Sequence, residues 1–245
     1  MHEIHTQLRN HRSIRAYEPQ PLDDSTVEEI VATGQAAATS SNLQATTVIH
    51  VTNPETRQRI AAVTGGQKQV TTAGAFLVWC ADLNRSHRVC ESVGGEMVSG
   101  MTEQFIIATV DVSLAAQNAV VAAEAMGLGI CYIGAIRNDP QTVSDLLELP
   151  QHVYPVFGLC IGVPAEDPEV KPRLPLAAVL KRDVYTTEED EQAIADYDRT
   201  MQDYYGSRSA NQKTTTWSAD IARLVGGERR PHMREYLAER GFEMR

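Results

Sequence analysis

TVDVSLAAQNAVVAAEAMG, residues 109–127, constrains the fold of this chain more than any other stretch. Its Ala-rich body is apolar nearly all round, and Gly127 falls where a helix C-cap would close it. A helix with no polar face is expected either at the centre of a core or buried between subunits. The other elements are read as packing about it.

Upstream, DSTVEEIVATGQAAA (24–38) reads as a helix, with Asp and Ser as caps, Glu28 and Glu29 in the first turn, and Val27, Ile30 and Val31 at helical spacing. VIHV (48–51) is strand-like, and Asn53, Pro54 and Glu55 open a second helix. AGAFLVWCADL (73–83), LGICYIG (128–134) and VYPVFGLCIGVP (153–164) have the continuous apolar character of buried strands, with Pro155 marking the start of its strand or an edge. NDPQTVSDLLEL is a capped helix. Between 84 and about 104 the chain loses its pattern, and SVGGEMVSG is loop-like. Strands and helices without strict βαβ alternation predict an α+β fold. From about 186 the chain alternates charged helices with the polar loop SRSANQKTTT, and it carries too few apolar residues for a core of its own.

The chain has 245 residues, 42% of them hydrophobic, and a net charge of -10. General attraction to nucleic acid or an anionic membrane is therefore disfavoured, and an anionic ligand needs a local basic cluster. The start, MHEIHTQLRN, lacks the apolar core of a signal peptide, and no apolar run is expected to reach the roughly 18 residues that span a bilayer, which places the protein in the cytoplasm. Cys80, Cys131 and Cys160 read as small core residues and Cys90 as a loop thiol, with no spacing suited to zinc. GxSxG, HExxH and P-loop motifs are absent, and the glycines of GLGICYIG fall before and within a strand, unlike a dinucleotide fingerprint. The acidic run 188–191 is a helix start rather than a metal site.

Three stretches carry candidate chemistry. HRSIRAY (11–17) is either a solvated turn or a phosphate cradle, and the stretch alone leaves both open. In GGQKQV (65–70) two glycines let backbone approach a ligand beside Gln67 and Lys68. In VKPRLPL (170–176) two prolines hold Lys171 and Arg173 in an extended segment.

Taken in order, HRSIRAY, TSSNLQ (39–44), GGQK, AAQNAVVAAEAMGLGICYIGAIRND (116–139), LPQHVYPVFGLCIGVP (149–164), KPRLP (171–175) and a tail with YYGSR and TTTWS resemble the oxygen-insensitive NADPH nitroreductase and NADPH-flavin oxidoreductase family over nearly the whole chain. The resemblance implies an α+β homodimer around a mostly antiparallel sheet flanked by helices. It implies an FMN-binding core over 1–185 and a helical extension over 186–245, packed on the core or partner and contributing to the NADPH site. Two FMN molecules would lie at the subunit interface.

By the same matching, His11, Arg12, Ser13 and Arg15 would form the N-terminal FMN-binding segment, and Lys171 and Arg173 the second phosphate-binding pair. Thr39, Ser41 and Gln67 would lie by the flavin, and Tyr132, Ile133, Gly134 and Ala135 would pass beside its ring. Thr39 and Ala135 stand where relatives often carry Ser and Gly, and Asn42, at the acceptor pocket, where many carry an aromatic residue. Arg208 would grip the 2'-phosphate of NADPH, with Lys213 and Arg137 assisting. The implied activity is a ping-pong transfer of two electrons from NADPH through FMN to nitroaromatics, quinones, chromate or similar flat acceptors, with no dedicated protein acid or base. A backbone N–H near Gly134 and the charge of Arg15 would stabilise the reduced flavin. An FMN reductase releasing reduced flavin, and a flavin-binding module without turnover, are the alternatives.

Overall fold

Four strands carry the fold in the computed structural model, which describes residues 3–208 and 212–245. Residues 209–211, part of the polar loop singled out above, lie outside the described residues, as do Met1 and His2. β1 (Thr46–His50), β2 (Ala75–Asp82), β3 (Gly129–Ile133) and β4 (Val153–Gly162) form one antiparallel sheet in the order β1-β2-β4-β3. β2 is buried along its whole length and β4 nearly so, because helices cover both sheet faces. That is why these strands are continuous apolar runs rather than alternating ones.

On one face lie α2 (Asp24–Gln35), capped by Asp23, and the long α6 (Thr102–Ala125). Ala108, Val112, Ala115, Ala116, Ala119, Val120 and Ala123 of α6 pack with Leu77, Trp79 and Leu159 of the sheet. The alanines have a specific cause. A Cβ on Gly34 of α2 would come within 2.9 Å of the Ala115 carbonyl oxygen and 3.2 Å of the Ala119 Cβ, so only small residues admit this approach. Outward, Ile106, Val110 and Leu114 form an exposed stripe at i, i+4 spacing.

On the opposite face, α3 (Pro54–Val63), capped by Asn53, α4 (Gln69–Thr72) and α7 (Pro140–Leu146), capped by Asp139, accompany a second cluster of buried residues that includes Phe76, Val78, Cys80, Cys131 and Cys160. Burial pushes the Cys80, Cys131 and Cys160 thiols above their ordinary range.

The structure differs from the sequence reading at several places. α6 begins seven residues before the stretch that predicted it, and at 24 residues, with a mean hydropathy of 1.6 in its most apolar window, it reaches the length and composition of a membrane span. The buried Asp111 midway along it and its packing on the sheet are those of a core helix. α5 (Asn84–Ser92) occupies the patternless stretch and carries Cys90, expected in a loop. Neither α5 nor α1 (Glu3–Arg9) buries a residue fully, so apolar periodicity had nothing to report. Of the two readings of Pro155 the first holds, since it lies near the start of its strand, and that strand is central rather than an edge. Pro155 pairs with Cys80 where the β2–β4 register shifts, an irregularity that accommodates its missing N–H.

The chain divides into two compact units, one running up to Pro168 and resuming at Arg230–Arg245, the other Glu169–Arg229. In the first, α11 (Met233–Glu239) and its sequel place Tyr236, Leu237 and Phe242 in the core. Phe242 meets the Tyr154 ring edge-on, with centroids 4.9 Å apart. The second unit holds α8 (Leu176–Val179), α9 (Asp190–Ser207) and α10 (Trp217–Val225). It has a small core after all, in which Tyr197, Met201 and Tyr205 are buried against Leu174 and Trp217.

Candidate functional site

HRSIRAY is an extended segment laid along the free edge of β3. Ser13 bridges Ile130 in parallel, and the Ile14 N–H donates to the Ile130 carbonyl at 2.8 Å. Gly129 makes this approach possible, since a Cβ there would lie 2.6 Å from Ile14 Cγ1. The Tyr17 hydroxyl, whose pKa burial drives far up, closes the segment by donating to the Ile14 carbonyl at 2.8 Å. Three carboxylates hold the segment, two by its basic side chains and one by its backbone. His11 Nδ1 is 2.6 Å from Glu124, an Arg12 Nη is 2.5 Å from Asp167, and the Arg15 and Ala16 amides both donate to Glu166, at 2.5 and 3.1 Å.

The segment suits a phosphate. Arg12 engages Asp167 and the Asn10 carbonyl, leaving other donors of its five, and the Arg15 guanidinium contacts only the Ser13 carbonyl, at 3.4 Å, among the described residues. The sequence reading named the cations and missed Glu124, Glu166 and Asp167, whose place in an acidic chain gave no signal.

At the C-terminal end of the same edge strand, Tyr132 and Ile133 lead into a 3-10 turn, Gly134–Asn138, that includes Ala135 and Arg137. Burial raises the Tyr132 pKa, and the nearby Glu124 adds to it. The Asn138 amide donates to the Val63 carbonyl at 3.3 Å, which brings the loop after α3 to this turn. In that loop Gly65 and Gly66 adopt φ of 78° and 77°, and Gln67 accepts from the Gln69 amide at 2.7 Å. The Arg137 guanidinium donates to the Val156 carbonyl, and burial, then Arg230, lowers its pKa.

Thr39, Ser41 and Asn42 lie elsewhere. Their loop precedes β1, the opposite edge strand, about three strand spacings or ~14 Å across the sheet from β3. Ser41, Asn42 and Gln44 have φ of 48°, 58° and 54°, three non-glycine residues in the left-handed region within four positions. The buried Asp111 takes the loop's donors, and Arg85 of α5 donates to the Gln44 carbonyl at 2.9 Å. Both were invisible in the sequence, one inside an apolar helix and the other in a patternless stretch.

In the second unit the basic candidates gather at tyrosines. Lys171 and Lys213 stand 5.6 and 5.3 Å from the centre of the Tyr205 ring, and the Arg208 guanidinium 5.7 Å from that of Tyr204. Arg208 Nε is 4.0 Å from Glu169 and Lys213 is 4.0 Å from Asp220. Arg173 donates to the Lys171 carbonyl at 2.8 Å, while the Tyr197 hydroxyl donates to the Pro172 carbonyl between them.

Comparison with known proteins finds matches along nearly the whole chain. Residues 8–163 match the family described as Nitroreductase family, and residues 171–245 match the Nitroreductase family, C-terminal domain. Among similar proteins, a CR(VI) reductase of Pseudomonas sp. (strain G-1) is 45% identical, covering 96% of this chain and 97% of its own. An oxygen-insensitive NADPH nitroreductase of Salmonella typhimurium is 41% identical, with 97% of each chain covered. The solved structure of NADPH:FMN oxidoreductase from Vibrio harveyi, complexed with NAD+, superposes with a TM-score of 0.90 at 38% identity, covering 99% of both chains. With two family matches, near-complete relatives and a shared fold all in register, this chain belongs to the nitroreductase family.

Proposed function

We propose that the protein is an FMN-dependent NADPH oxidoreductase that passes two electrons from NADPH to nitroaromatics, quinones or similar flat acceptors. The observation that carries the reading is the basic segment His11–Arg15 fixed on the edge of β3 beside the turn at Gly134. The names of the relatives, an oxygen-insensitive NADPH nitroreductase, a CR(VI) reductase and an NADPH-flavin oxidoreductase, favour it. FMN, when bound, supplies the hydride-accepting centre. The chain supplies charge and geometry. His11, Arg12 and Ser13 hold the phosphate, with Lys171 and Arg173 assigned to it by the family pattern. The turn at Gly134–Ala135 and Gln67 would orient the ring, and the Arg15 charge would favour the gain of electrons there. Arg208, with Lys213 and Arg137, selects NADPH through its 2'-phosphate, which gives the segment 186–245 its part in the reaction.

The reading includes a cytoplasmic homodimer. Thr39, Ser41 and Asn42 sit on the sheet edge opposite to His11–Arg15, which supports a reading in which two chains supply the two walls of the site. A second copy supplies the second wall if it docks on the exposed stripe Ile106, Val110 and Leu114. The experiment is a visible spectrum of the purified protein, with and without NADPH in the absence of air. A flavin spectrum bleached by NADPH and restored by a quinone is expected. Bound FMN that NADPH does not bleach would favour a binding module, and failure to take up added FMN would refute the reading. Rapid release of reduced FMN would favour the flavin reductase alternative, which the name FMN reductase (NADPH) of a Bacillus subtilis relative, 41% identical, also favours.

A further inference from the structure

The loop Thr39–Ala45 combines two properties that ordinarily exclude each other. Its backbone is strained at Ser41, Asn42 and Gln44, yet the residues from Ser40 to Gln44 are all exposed and only Ala45 at its end is buried in the core. A cavity of about 520 Å³ lies under it, bordered by Thr39, Leu43, Gln44, Trp79, Arg85 and Asp111, and Leu43, the loop's large apolar side chain, is 36% exposed. A strained conformation persists only where its surroundings over-determine it. Here the surroundings are polar. Asp111 Oδ1 accepts the Ser40 amide at 3.1 Å, and Oδ2 accepts the Thr39 hydroxyl at 2.5 Å and the Ala45 amide at 3.1 Å. The Thr39 oxygen accepts the Gln44 amide at 2.8 Å in turn. One carboxylate therefore ties both ends of the loop to α6, directly and through one hydroxyl. Asp111 is only 3% exposed, so the group is kept in the core at a desolvation cost that these donors offset.

We propose that Asp111 is a positioning residue of the reaction: it fixes the loop in the conformation in which Thr39, Ser41 and Asn42 address flavin and acceptor. This rests on the assignment of those three residues to the site. A carboxylate is required because it offers two acceptor oxygens. In Asp111→Asn one oxygen becomes an NH2 group, and either placement sets a donor against the loop's own donors. Arg85 assists from the other side by holding the Gln44 carbonyl, but its five donors are spread over Gln44, Thr46, Thr47 and Asp82, so Asp111 dominates.

The test compares Asp111→Asn, Thr39→Val and Thr39→Ser in the FMN-loaded full chain by amide hydrogen exchange and by steady-state kinetics with 1,4-benzoquinone. In Asp111→Asn and Thr39→Val, peptides covering 39–45 are expected to exchange at least tenfold faster, the factor that corresponds to about 1.4 kcal/mol. Peptides from β2 and α3 are expected to hold, and Thr39→Ser, which keeps the hydroxyl, to exchange like the parent. The KM for benzoquinone is expected to rise about tenfold with a smaller change in kcat, since a displaced wall weakens acceptor binding. Unchanged exchange in both perturbing variants would overturn the clamp. Faster exchange with unchanged KM and FMN affinity would overturn the proposal differently, by leaving a structural clamp and removing Thr39, Ser41 and Asn42 from the site. If Asp111→Asn does not fold, Thr39→Val against Thr39→Ser carries the same comparison.

Discussion

Gly129→Ala is the sharpest probe of how the basic segment is held. The added methyl would stand 2.6 Å from Ile14 Cγ1, 2.8 Å from its Cβ and 3.0 Å from Cγ2, while Ile14 is 4% exposed and has nowhere to turn. Overpacking of this kind costs about 1–3 kcal/mol. If the strain is relieved by lifting the segment off β3, the Ile14–Ile130 hydrogen bond goes too, at about 1 kcal/mol. We expect a loss of about 2–4 kcal/mol, read as a urea midpoint lower by about 1 M. His11, Arg12, Ser13 and Arg15 move with the segment, so FMN affinity, followed by quenching of flavin fluorescence, should fall tenfold or more. A control separates this from general damage. Ile14→Ala removes two of the three clashing atoms, so the double variant should be less destabilised than the sum of the singles by about 1 kcal/mol. Additive effects, or a Gly129→Ala protein with the parent's midpoint and FMN affinity, would refute the reasoning.

Arg12→Ala and Arg173→Ala are each expected to weaken FMN binding tenfold to hundredfold, as loss of a charged donor costs about 1.5–3 kcal/mol, with an unchanged circular dichroism spectrum; full flavin retention in both would return them to the solvated surface. Arg208→Ala should raise the KM for NADPH strongly while leaving that for NADH and the FMN content nearly unchanged, and equal losses with both nucleotides would make its role structural. His152, lowered in pKa by burial and then by His87 and Arg240, binds fewer protons folded than unfolded, so its contribution to stability is present above about pH 6.5 and is lost as pH falls below it. Because its φ is 63°, asparagine is the replacement that tolerates the site, and His152→Asn should flatten the fall of the urea midpoint between pH 7 and 5.5; an unchanged slope would exclude His152 as the cause.

What the sequence disclosed follows from how each element is held. β2, β4 and α6 are buried widely enough to be read from apolar runs alone, and Asn53 and Asp139 mark their helices because an unsatisfied helix start needs an acceptor there, whereas α2 is capped by Asp23, one residue before the Asp24 and Ser25 that the sequence suggested. α5 was not legible, since an exposed helix without a buried face has no period to show. In the site, the basic stretches 11–17 and 170–176 stand out in an acidic chain, while their roles and those of Arg137, Arg208 and Lys213 rest on the family resemblance. The acidic partners do not stand out. Glu124, Glu166 and Asp111 are single carboxylates brought from 66 to 151 residues away, and nothing local distinguishes them from surface charges. The opposite placement of the Thr39 loop and the basic segment depends on strand order, which sequence leaves open.

The return of residues 230–245 to the first unit has a consequence for synthesis. Phe242, 2% exposed, packs beside Tyr154, the Arg240 carbonyl accepts the His152 amide at 3.0 Å, and the Arg245 amide donates to the Gly100 carbonyl at 2.8 Å. These contacts join parts of the chain 88 or more residues apart. A ribosome making this protein will have released the whole sheet long before the aromatic plug that completes its core emerges, with 61 residues of the second unit in between. At about 5–20 residues per second the exposed Tyr154 end waits several seconds, an interval in which a nascent chain of this kind invites chaperones or aggregation. Production at low temperature, or slowed initiation, is therefore expected to change soluble yield more than any surface substitution, and a protein ending at residue 229 should accumulate in the insoluble fraction.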